Sequence, residues 1–257
     1  MNLLKMARYA LAGWLPFGRR HCVICGHAVW RFMPFGRGWA GVPPLMIALK
    51  VVGSDPEHFE CPRCGAHDRE RHLLLYLRAS KLLDDMHGKL ILHFAPEKRL
   101  SKWIRAAEPA EYVPCDLYPQ SPEVQRVDML AMDFAAEMFD VVIANHVLEH
   151  VGDVDKALAE IRRVLKPAGC AILQTPYSSK LCKTWEDPGV DTESARLQAY
   201  GQEDHVRLFG RHIFGSIESA GFDSKVQTHA QLLPDVDARS YGVNPAEPFF
   251  LFQKSDG

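Results

Sequence analysis

The chain has 257 residues, enough for one large domain or for a medium domain with a small appendage. Its formal net charge of -2 gives no global electrostatic reason to expect a nucleic-acid partner, although local basic patches such as RFMPFGRGW (31–39) remain. Its 47% hydrophobic and 24% charged residues are typical of a globular protein, and no apolar run approaches the roughly 18 to 20 residues that span a bilayer.

The first twenty residues have a weakly amphipathic pattern. Lys5 and Arg8 interrupt their apolar run, and Arg19 and Arg20 follow it, which disfavours a signal peptide. A short helix packed on the protein is predicted, with docking on a partner or a membrane surface as the alternative. The apolar residues at helical spacing are Leu3, Leu4, Ala7, Leu11 and Trp14.

Two Cys-x-x-Cys pairs follow, CVIC at 22–25 and CPRC at 61–64, and a glycine comes directly after each pair. Their thiolates, Cys22, Cys25, Cys61 and Cys64, match the ligand set of a closed structural zinc site. The 35 residues between the pairs (26–60) exceed the usual finger spacing, so a small hairpin or loop is expected there. The sequence predicts a zinc ribbon, with a redox dithiol or free buried cysteines as the alternatives.

The seven cysteines of the chain are an odd number, which does not suit a disulfide framework. Neither pair begins a helix after a predicted strand, which disfavours a redox motif. Paired knuckles with metal-bound thiolates suit a reducing compartment, so a cytoplasmic location is expected.

Such a ribbon could instead read RNA. Phosphate contacts would come from five arginines, Arg31, Arg37, Arg63, Arg69 and Arg71. Base stacking would come from three aromatic residues, Trp30, Phe32 and Trp39. Aromatic residues in so small a domain are more often its core, so RNA binding is the alternative.

From Asp68 the pattern changes to regular elements. Residues 68–88 predict one amphipathic helix that begins at Asp68 and ends at Gly88. Strands are predicted at 89–94, 111–115, 140–144, 170–175, 223–229 and 248–253. Helices are predicted between them at 98–107, 153–165 and 211–220. This alternation predicts an α/β fold, with a mostly parallel sheet covered by helices on both faces.

Open sheets of this kind bind ligands beyond the carboxyl ends of their strands. The first such loop is HFAPE (93–97), at a place where a nucleotide or S-adenosylmethionine site normally has glycines. Asp116 ends the next strand, 21 residues after Ala95. An acidic residue at that place and distance binds the two ribose hydroxyls of an adenosine.

The run FDVVIANHVLEHVGDVDKALAEIRRVLKPAGCAILQTPY (139–177) resembles class I S-adenosylmethionine-dependent methyltransferases of the small methyltransferase-domain type. The resemblance extends from residue 89 to about residue 222, and it implies a Rossmann-like, doubly wound sheet with S-adenosylmethionine as cofactor. With its paired cysteines and the stretch ILHFAPEKRLSKWI (91–104), the chain also resembles a bacterial group of zinc-ribbon methyltransferases.

The resemblance implies contacts to three parts of the cofactor. It assigns the ribose to Asp116 with Leu117, and the adenine to Asp128 with the backbone at Met129. The residues assigned to the methionine end are Asn145, His146 and Val147.

The first loop departs from the family, because Phe94, Ala95, Pro96 and Glu97 stand where a Gly-x-Gly is usual. S-adenosylmethionine has no pyrophosphate, so a small residue such as Ala95 is expected to let the backbone pass the ligand. Glu97 is expected either to accept a hydrogen bond from the cofactor ammonium or to be a solvated carboxylate at a helix start. A degenerate site that binds no cofactor is the alternative.

An acceptor hydroxyl needs a base above the same edge of the sheet. His205, in GQEDHVRLFG, is the first candidate because imidazole titrates near neutrality, and His146 and His150 are the next. Each of them could instead be a hydrogen-bonded structural histidine. The polar segment 177–210 is expected to form a substrate lid. Its predicted acceptor contacts are Tyr177, Trp185, Glu203, Asp204 and Arg207.

These features predict an N-terminal helix and a small four-cysteine zinc-ribbon domain at 1–67, followed by a methyltransferase domain at 68–257. The predicted function is methyl transfer from S-adenosylmethionine to a small-molecule or saccharide acceptor, at a hydroxyl group. An RNA methyltransferase and a non-enzymatic scaffold with a degenerate methyltransferase fold are the alternatives.

Overall fold

The computed structural model describes residues 3–15 and 18–255, which form two compact units. The first, here called the cysteine unit, comprises Met1–Val42, Gly53–Leu82 and Thr228–Pro248. The second, the sheet unit, comprises Pro43–Val52, Leu83–Gln227 and Phe249–Gly257. Each unit is therefore assembled from three separate segments, and the functional boundary at residue 67 stays a prediction.

Within the described ranges, the helices are α1 (Leu3–Trp14), α2 (Pro44–Ala48), α3 (Asp68–Ala79), α4 (Leu82–Asp85), α5 (Leu100–Ala106), α6 (Val154–Val164), α7 (Glu193–Tyr200), α8 (Ile213–Ser219), α9 (His229–Leu232) and α10 (Ala238–Tyr241). The strands are β1 (Arg20–Cys22), β2 (His27–Val29), β3 (Val51–Val52), β4 (Leu90–Phe94), β5 (Glu111–Asp116), β6 (Gln125–Arg126), β7 (Phe139–Ala144), β8 (Leu165–Ile172), β9 (Tyr177–Ser178), β10 (Phe222–Ser224) and β11 (Leu251–Lys254). None of these helices is long and apolar enough to cross a membrane.

The cysteine unit begins with the predicted N-terminal helix, α1, although residues 1, 2, 16 and 17 of the predicted stretch lie outside the described residues. The antiparallel hairpin β1–β2 follows and pairs Cys22 with His27. Gly26 in its turn has a φ of +71°, a conformation that glycine adopts without a steric penalty. The first cysteine pair therefore lies in a tight hairpin turn.

The predicted amphipathic helix over 68–88 is wrong in two respects. It ends at Ala79, and Lys81 adopts a left-handed φ of +62° before the short helix α4 begins. In addition, α3 buries charged residues: Arg71 is fully buried and donates hydrogen bonds to the backbone carbonyls of Ala66, Tyr241 and Gly242. Hydrogen bonds to buried carbonyls allow a charged side chain to lie in the core. The periodicity of the sequence does not reveal such partners.

The sheet unit contains a seven-stranded sheet in the order β10-β11-β8-β7-β4-β5-β6. The strands β8, β7, β4, β5 and β6 are parallel, whereas β11 runs antiparallel to β8 and β10 antiparallel to β11. The chain order reverses at β4, which has β5 on one side and β7 on the other. The predicted fold class, a Rossmann-like doubly wound sheet, is confirmed.

Both faces of the central strands are buried. On one face, Leu92 and Val142 join a core that also includes Leu158 and Ile161 of α6. On the other face, Ile91 of β4 is also fully buried. Continuous apolar strands of this kind are typical of parallel sheets that are covered on both sides.

The predicted strands and helices of this unit are found near their predicted positions, with shifted ends. β8 begins at Leu165 rather than at residue 170, because Leu165, directly after α6, already pairs with Phe139 of β7; after a register shift, the pairing continues at Cys170. β10 ends at Ser224, earlier than predicted, and β11 begins at Leu251, later than predicted.

The predicted lid is an ordered part of the sheet unit. β9, at its start, pairs with β3, and Ser178 Oγ donates to Leu49 O at 2.6 Å. The lid also contains the unpredicted helix α7, which begins after Thr192, whose hydroxyl accepts from Ala195 N at 3.2 Å. Residues 43–52, predicted as part of the ribbon domain, thus belong to the unit that contains the lid.

Candidate active site

The register of three neighbouring strands places the predicted cofactor residues side by side. The last residue of β4 pairs with Cys115 of β5 and with Ala144 of β7. The residues that follow these three positions are Ala95, Asp116 and Asn145, so they share one level at the carboxyl edge of the sheet. This edge, next to the reversal of strand order, is where open α/β sheets bind ligands.

The first loop has the backbone of a glycine turn without a glycine. Ala95 has a φ of +46°, in the left-handed region that glycine adopts most readily. Its N–H donates to Cys115 O at 2.8 Å, and its side chain is exposed. Phe94 before it is buried, and Pro96 after it is half-buried. Compared with the glycine usual at this position, Ala95 keeps the turn and adds one methyl group.

Glu97 is not a solvated carboxylate. Its side chain is only 7% exposed, and its Oε2 lies 3.2 Å from His93 Nε2. Asn145 Nδ2 donates to Glu97 Oε1 at 2.5 Å. A charge-assisted hydrogen bond of this type fixes both side chains. The first loop and the loop after β7 are therefore joined through a buried carboxylate.

The predicted ribose and adenine residues lie on two adjacent loops. Val127 N donates to Asp116 O at 3.0 Å, which joins the loop after β5 to the loop after β6. The Asp116 carboxylate is half-buried and accepts from Tyr118 N at 2.8 Å. Asp128 is exposed and accepts from Leu130 N at 2.9 Å. Of their predicted partners, Leu117 is exposed and Met129 is buried.

The loop after β7 turns sharply at His146, which has a φ of +57°. Its N–H donates to Gln174 O at 2.7 Å, and its side chain is buried. Val147 is half-buried, and a 3-10 turn over Leu148–His150 follows it. The strained turn at His146 and the 3-10 turn together direct Glu149 into the protein.

Glu149 is the centre of a buried polar cluster that the sequence analysis did not assign. Its Oε2 accepts from Thr175 Oγ1 at 2.9 Å, while its Oε1 lies 3.4 Å from His146 Nδ1 and 3.9 Å from His205 Nε2. Burial raises the pKa of Glu149, but the adjacent His146 and the charges of the other nearby histidines outweigh burial and lower that pKa to about 2. Glu149 lies between the two predicted histidines of HVLEHV (146–151), so a signal was present, whereas no sequence signal marks Thr175.

The structure brings the three predicted bases together around this carboxylate. His205 is 3% exposed, and burial lowers its pKa. Its Nδ1 lies 3.1 Å from Tyr200 O, which can only accept, so its Nε2 carries the lone pair when the ring is neutral. The half-buried His150 lies edge-on to His205 with ring centres 4.8 Å apart, and its Nδ1 is 3.3 Å from Asp204 Oδ2.

Arg207, predicted to contact the substrate, instead binds other groups of the protein. It is 2% exposed and pairs with both oxygens of Glu186, at 2.8 and 3.1 Å. Its remaining donors bind the carbonyl oxygens of Leu148, Val151 and Gly152. Because its donors are occupied in this way, Arg207 holds the loop that presents Glu149 and His150.

The other predicted acceptor contacts lie in aromatic packing or at the surface. The ring of Tyr177 packs edge-on against Phe214, and the ring of Trp185 against Tyr200. Glu203 and Asp204 are exposed. These four side chains are not part of the buried cluster.

In the cysteine unit, the four predicted metal ligands converge. The sulfur atoms of Cys22, Cys25, Cys61 and Cys64 lie within 4.8 Å of one another. Cys22 Sγ and Cys64 Sγ are 3.7 Å apart, close to the separation of about 3.8 Å that tetrahedral zinc–sulfur bonds of about 2.3 Å require. Both knuckles have the same turn, closed by bonds from Gly26 N to Cys22 O and from Gly65 N to Cys61 O at 2.8 Å. The donor set and its spacing fit zinc.

Two of the predicted RNA contacts belong to the core instead. Arg71 and Phe32 are buried and stack on each other, with the guanidinium carbon 3.9 Å from the ring centre. Arg63 lies over the exposed ring of Trp14 at 4.0 Å. Trp30 and Trp39 are exposed.

Comparison with known proteins bears on the sheet unit. Residues 78–173 match the family model described as a methyltransferase domain. This part of the chain is therefore similar to methyltransferase domains. The matched residues include β4, β5, β7 and the loops with Ala95, Asp116 and Glu149. The predicted enzyme class, a methyltransferase, is confirmed. The match includes neither cysteine pair and does not reach His205.

Several solved structures resemble the chain. An S-adenosylmethionine-dependent methyltransferase from Mesorhizobium loti is 15% identical, covers 69% of this chain and 96% of its own, and has a TM-score of 0.49. The YcgJ protein from Bacillus subtilis is 15% identical, with coverages of 72% and 100% and a TM-score of 0.48. The 1,6-didemethyltoxoflavin-N1-methyltransferase from Burkholderia thailandensis is 16% identical, with coverages of 71% and 79% and a TM-score of 0.45. No curated protein matches the chain.

Proposed function

We propose that this methyltransferase transfers the methyl group of S-adenosylmethionine to a hydroxyl group of a small-molecule or saccharide acceptor. The observation that carries the proposal is the cluster of His146, Glu149, His150 and His205 at the carboxyl edge of the sheet. In such a cluster an imidazole can accept a proton from the acceptor, and the carboxylate can stabilise the imidazolium that results.

The carboxyl edge fits the cofactor. Ala95 gives the turn that lets the backbone pass the amino-acid part, and Asp116 ends β5 where a carboxylate can bind the ribose hydroxyls. Glu97 and Asn145, which hold each other, would face the ammonium and carboxylate of the methionine end. S-adenosylmethionine supplies a methyl group that its sulfonium charge has already activated. The protein aligns this carbon with the acceptor oxygen.

His205 is the proposed proton acceptor. Its Nε2, which carries the lone pair, lies 3.9 Å from Glu149 Oε1, and an ionised Glu149 stabilises the imidazolium that forms. Tyr177, Trp185, Glu203 and Asp204 are proposed to contact the acceptor. The polar lid suits a hydroxylated molecule, and the cytoplasm is the proposed location because of the paired cysteines.

The test compares His205→Ala with His212→Ala, an exposed histidine outside the cluster. Labelled S-adenosylmethionine is offered to metabolite, glycan and RNA fractions of a host lysate. His205→Ala should lower turnover by about 10²-fold or more, as expected for a lost general base. Cofactor affinity by calorimetry should stay within about twofold, since no predicted cofactor contact changes. Unchanged turnover would remove His205 as the base, and wild-type protein that binds no cofactor would favour the scaffold alternative.

RNA as the acceptor is the second candidate, and one observation favours it. Residues 1–54 contain seven Lys or Arg residues and no Asp or Glu, so the remaining chain has a formal charge of -2 - 7 = -9. A segment of one sign, with Trp30 and Trp39 exposed, suits an anionic partner. Against this, Arg71 and Phe32 lie in the core. Label in the RNA fraction alone would favour this candidate.

A further inference from the structure

Three metal-ligating side chains of the sheet unit converge on one point. Glu149, His150 and His205 each offer one ligand atom, and these atoms lie within 4.8 Å of one another. Glu149 and His150 come from the 3-10 turn after β7, whereas His205 comes from the lid. Two distant parts of the chain are thus arranged around a single volume.

Two of these ligand atoms are buried without a hydrogen bond. Among the residues that the structure describes, Glu149 Oε1 and His205 Nε2 have no hydrogen-bond partner, although their residues are 1% and 3% exposed. Their separation of 3.9 Å is too long for a hydrogen bond. Two ligands at about 2.1 Å from one ion are, however, about 3 to 4 Å apart. Buried polar atoms left unpaired in this way call for an occupant.

The surroundings of these atoms are those of metal ligands. His205 has its other ring nitrogen on a backbone carbonyl, Tyr200 O, which leaves Nε2 with a free lone pair. Glu149 Oε2 is held by the Thr175 hydroxyl, whereas Oε1 makes no hydrogen bond to the described residues and lies 3.4 Å from His146 Nδ1. Metal-ligating histidines and carboxylates are usually oriented by outer hydrogen bonds of this type.

We propose that Glu149, His150 and His205 bind one divalent transition-metal ion, and that this ion holds the acceptor hydroxyl. Two imidazoles and one carboxylate suit ions such as Mn²⁺, Fe²⁺, Co²⁺ or Zn²⁺, and three protein ligands leave positions open. The inference rests on the proposed methyl transfer to a hydroxyl, but it replaces the role of His205 as proton acceptor. With the ion bound, His205 is a ligand rather than the base.

The ion would lower the pKa of the hydroxyl that it binds. The hydroxyl proton leaves to solvent, and the oxygen forms a bond to the methyl carbon as the carbon–sulfur bond breaks. The bonding electrons remain on sulfur, so the products are the methyl ether, S-adenosylhomocysteine and one proton. No oxidant or reductant is needed.

The test uses the whole 257-residue chain, purified without chelators, titrated with Mn²⁺ and followed by electron paramagnetic resonance. Mn²⁺ is chosen because cysteine thiolates select zinc, whereas nitrogen and oxygen donors accept Mn²⁺. We expect one Mn²⁺ per chain, with affinity at least about tenfold weaker in Glu149→Gln and in His150→Asn. The control Glu218→Gln changes an exposed carboxylate of α8 and should bind Mn²⁺ like wild type.

His150→Asn is included because His150 is half-buried, so it keeps the test valid if replacing the fully buried Glu149 unfolds the protein; thermal unfolding checks both variants. No Mn²⁺ binding at millimolar concentration, or equal affinity in all variants, would overturn the site. Methyl transfer that persists without added metal while Mn²⁺ fails to bind would remove the ion and leave the proposed function standing. Mn²⁺ binding without binding of S-adenosylmethionine would keep the metal site and overturn the proposed methyl transfer.

Discussion

At the scale of single residues, Ala95 combines a glycine conformation with a side chain. Its φ of +46° costs an L-residue about 1 kcal/mol relative to glycine. The same left-handed conformation occurs at Ala168, with a φ of +56°, inside β8 and away from the predicted cofactor loop. The two alanines therefore form a matched pair, one at the predicted cofactor loop and one away from it.

Ala95→Gly and Ala168→Gly should each change stability by less than about 1 kcal/mol, because relief of strain is partly offset by the greater freedom of glycine in the unfolded chain. Ala95→Val should destabilise by about 1 to 2 kcal/mol, since a β-branched residue tolerates positive φ poorly. Cofactor affinity should fall at least about tenfold in Ala95→Val only. Urea denaturation and calorimetry measure the two effects, and equal affinity in all three variants would separate Ala95 from the cofactor site.

Single residues also show where sequence reasoning ends. Asp116 could be predicted because an acid directly after a strand has one usual place in this fold, and its distance from Ala95 is fixed. The burial of Glu149 could not be predicted in spite of its two histidine neighbours, because a charged residue is normally assigned to the surface. Its burial depends on His205 and Thr175, which the fold alone brings to it.

At the scale of elements, the periodic strands and helices were predictable, and the helix α7 within the lid was not. The apolar stripe of α6 and the runs of β4 and β7 are local signals. In α7 the apolar stripe is weak, and the cues were its caps, Thr192 at the start and Gly201 with φ +92° at the end. The burial of charged residues in α3 is not predictable from its pattern, because Arg71 binds backbone carbonyls of a distant segment.

The lid and the loop after β7 are joined by Arg207, and this joint can be tested. Arg207→Lys loses the paired contact to Glu186 and most of the three carbonyl bonds, so it should cost about 2 to 4 kcal/mol. Glu186→Gln should cost less than about 1 kcal/mol, because Glu186 is 50% exposed and its charge is screened by solvent. Urea denaturation compares the two variants. An equal cost in both would mean that the salt bridge, and not the carbonyl bonds, holds the loop.

At the scale of the whole molecule, a net charge of -2 conceals two oppositely charged parts. The first 54 residues have a formal charge of +7 and the remainder -9. The global value therefore says little about partners, because association depends on the local field. The cysteine unit also draws residues from three segments, of which Thr228–Pro248 lies far along the chain from both cysteine pairs. A pattern search along the sequence cannot join such segments.

Because the four cysteines come from two segments of the cysteine unit, a zinc ion bound to them is expected to stabilise that unit. Metal analysis should find one zinc per chain in the four-cysteine site. Cys61→Ser replaces a fully buried thiolate ligand, and it should remove the zinc together with the several kcal/mol of folding free energy that structural zinc contributes. Amide hydrogen exchange should then accelerate in 53–82 and 228–248, while β4 and β7 keep their protection. Cys182→Ser, at an exposed cysteine of the sheet unit, should change neither zinc content nor exchange. Full zinc occupancy in Cys61→Ser, or unchanged exchange after zinc loss, would refute a structural zinc site.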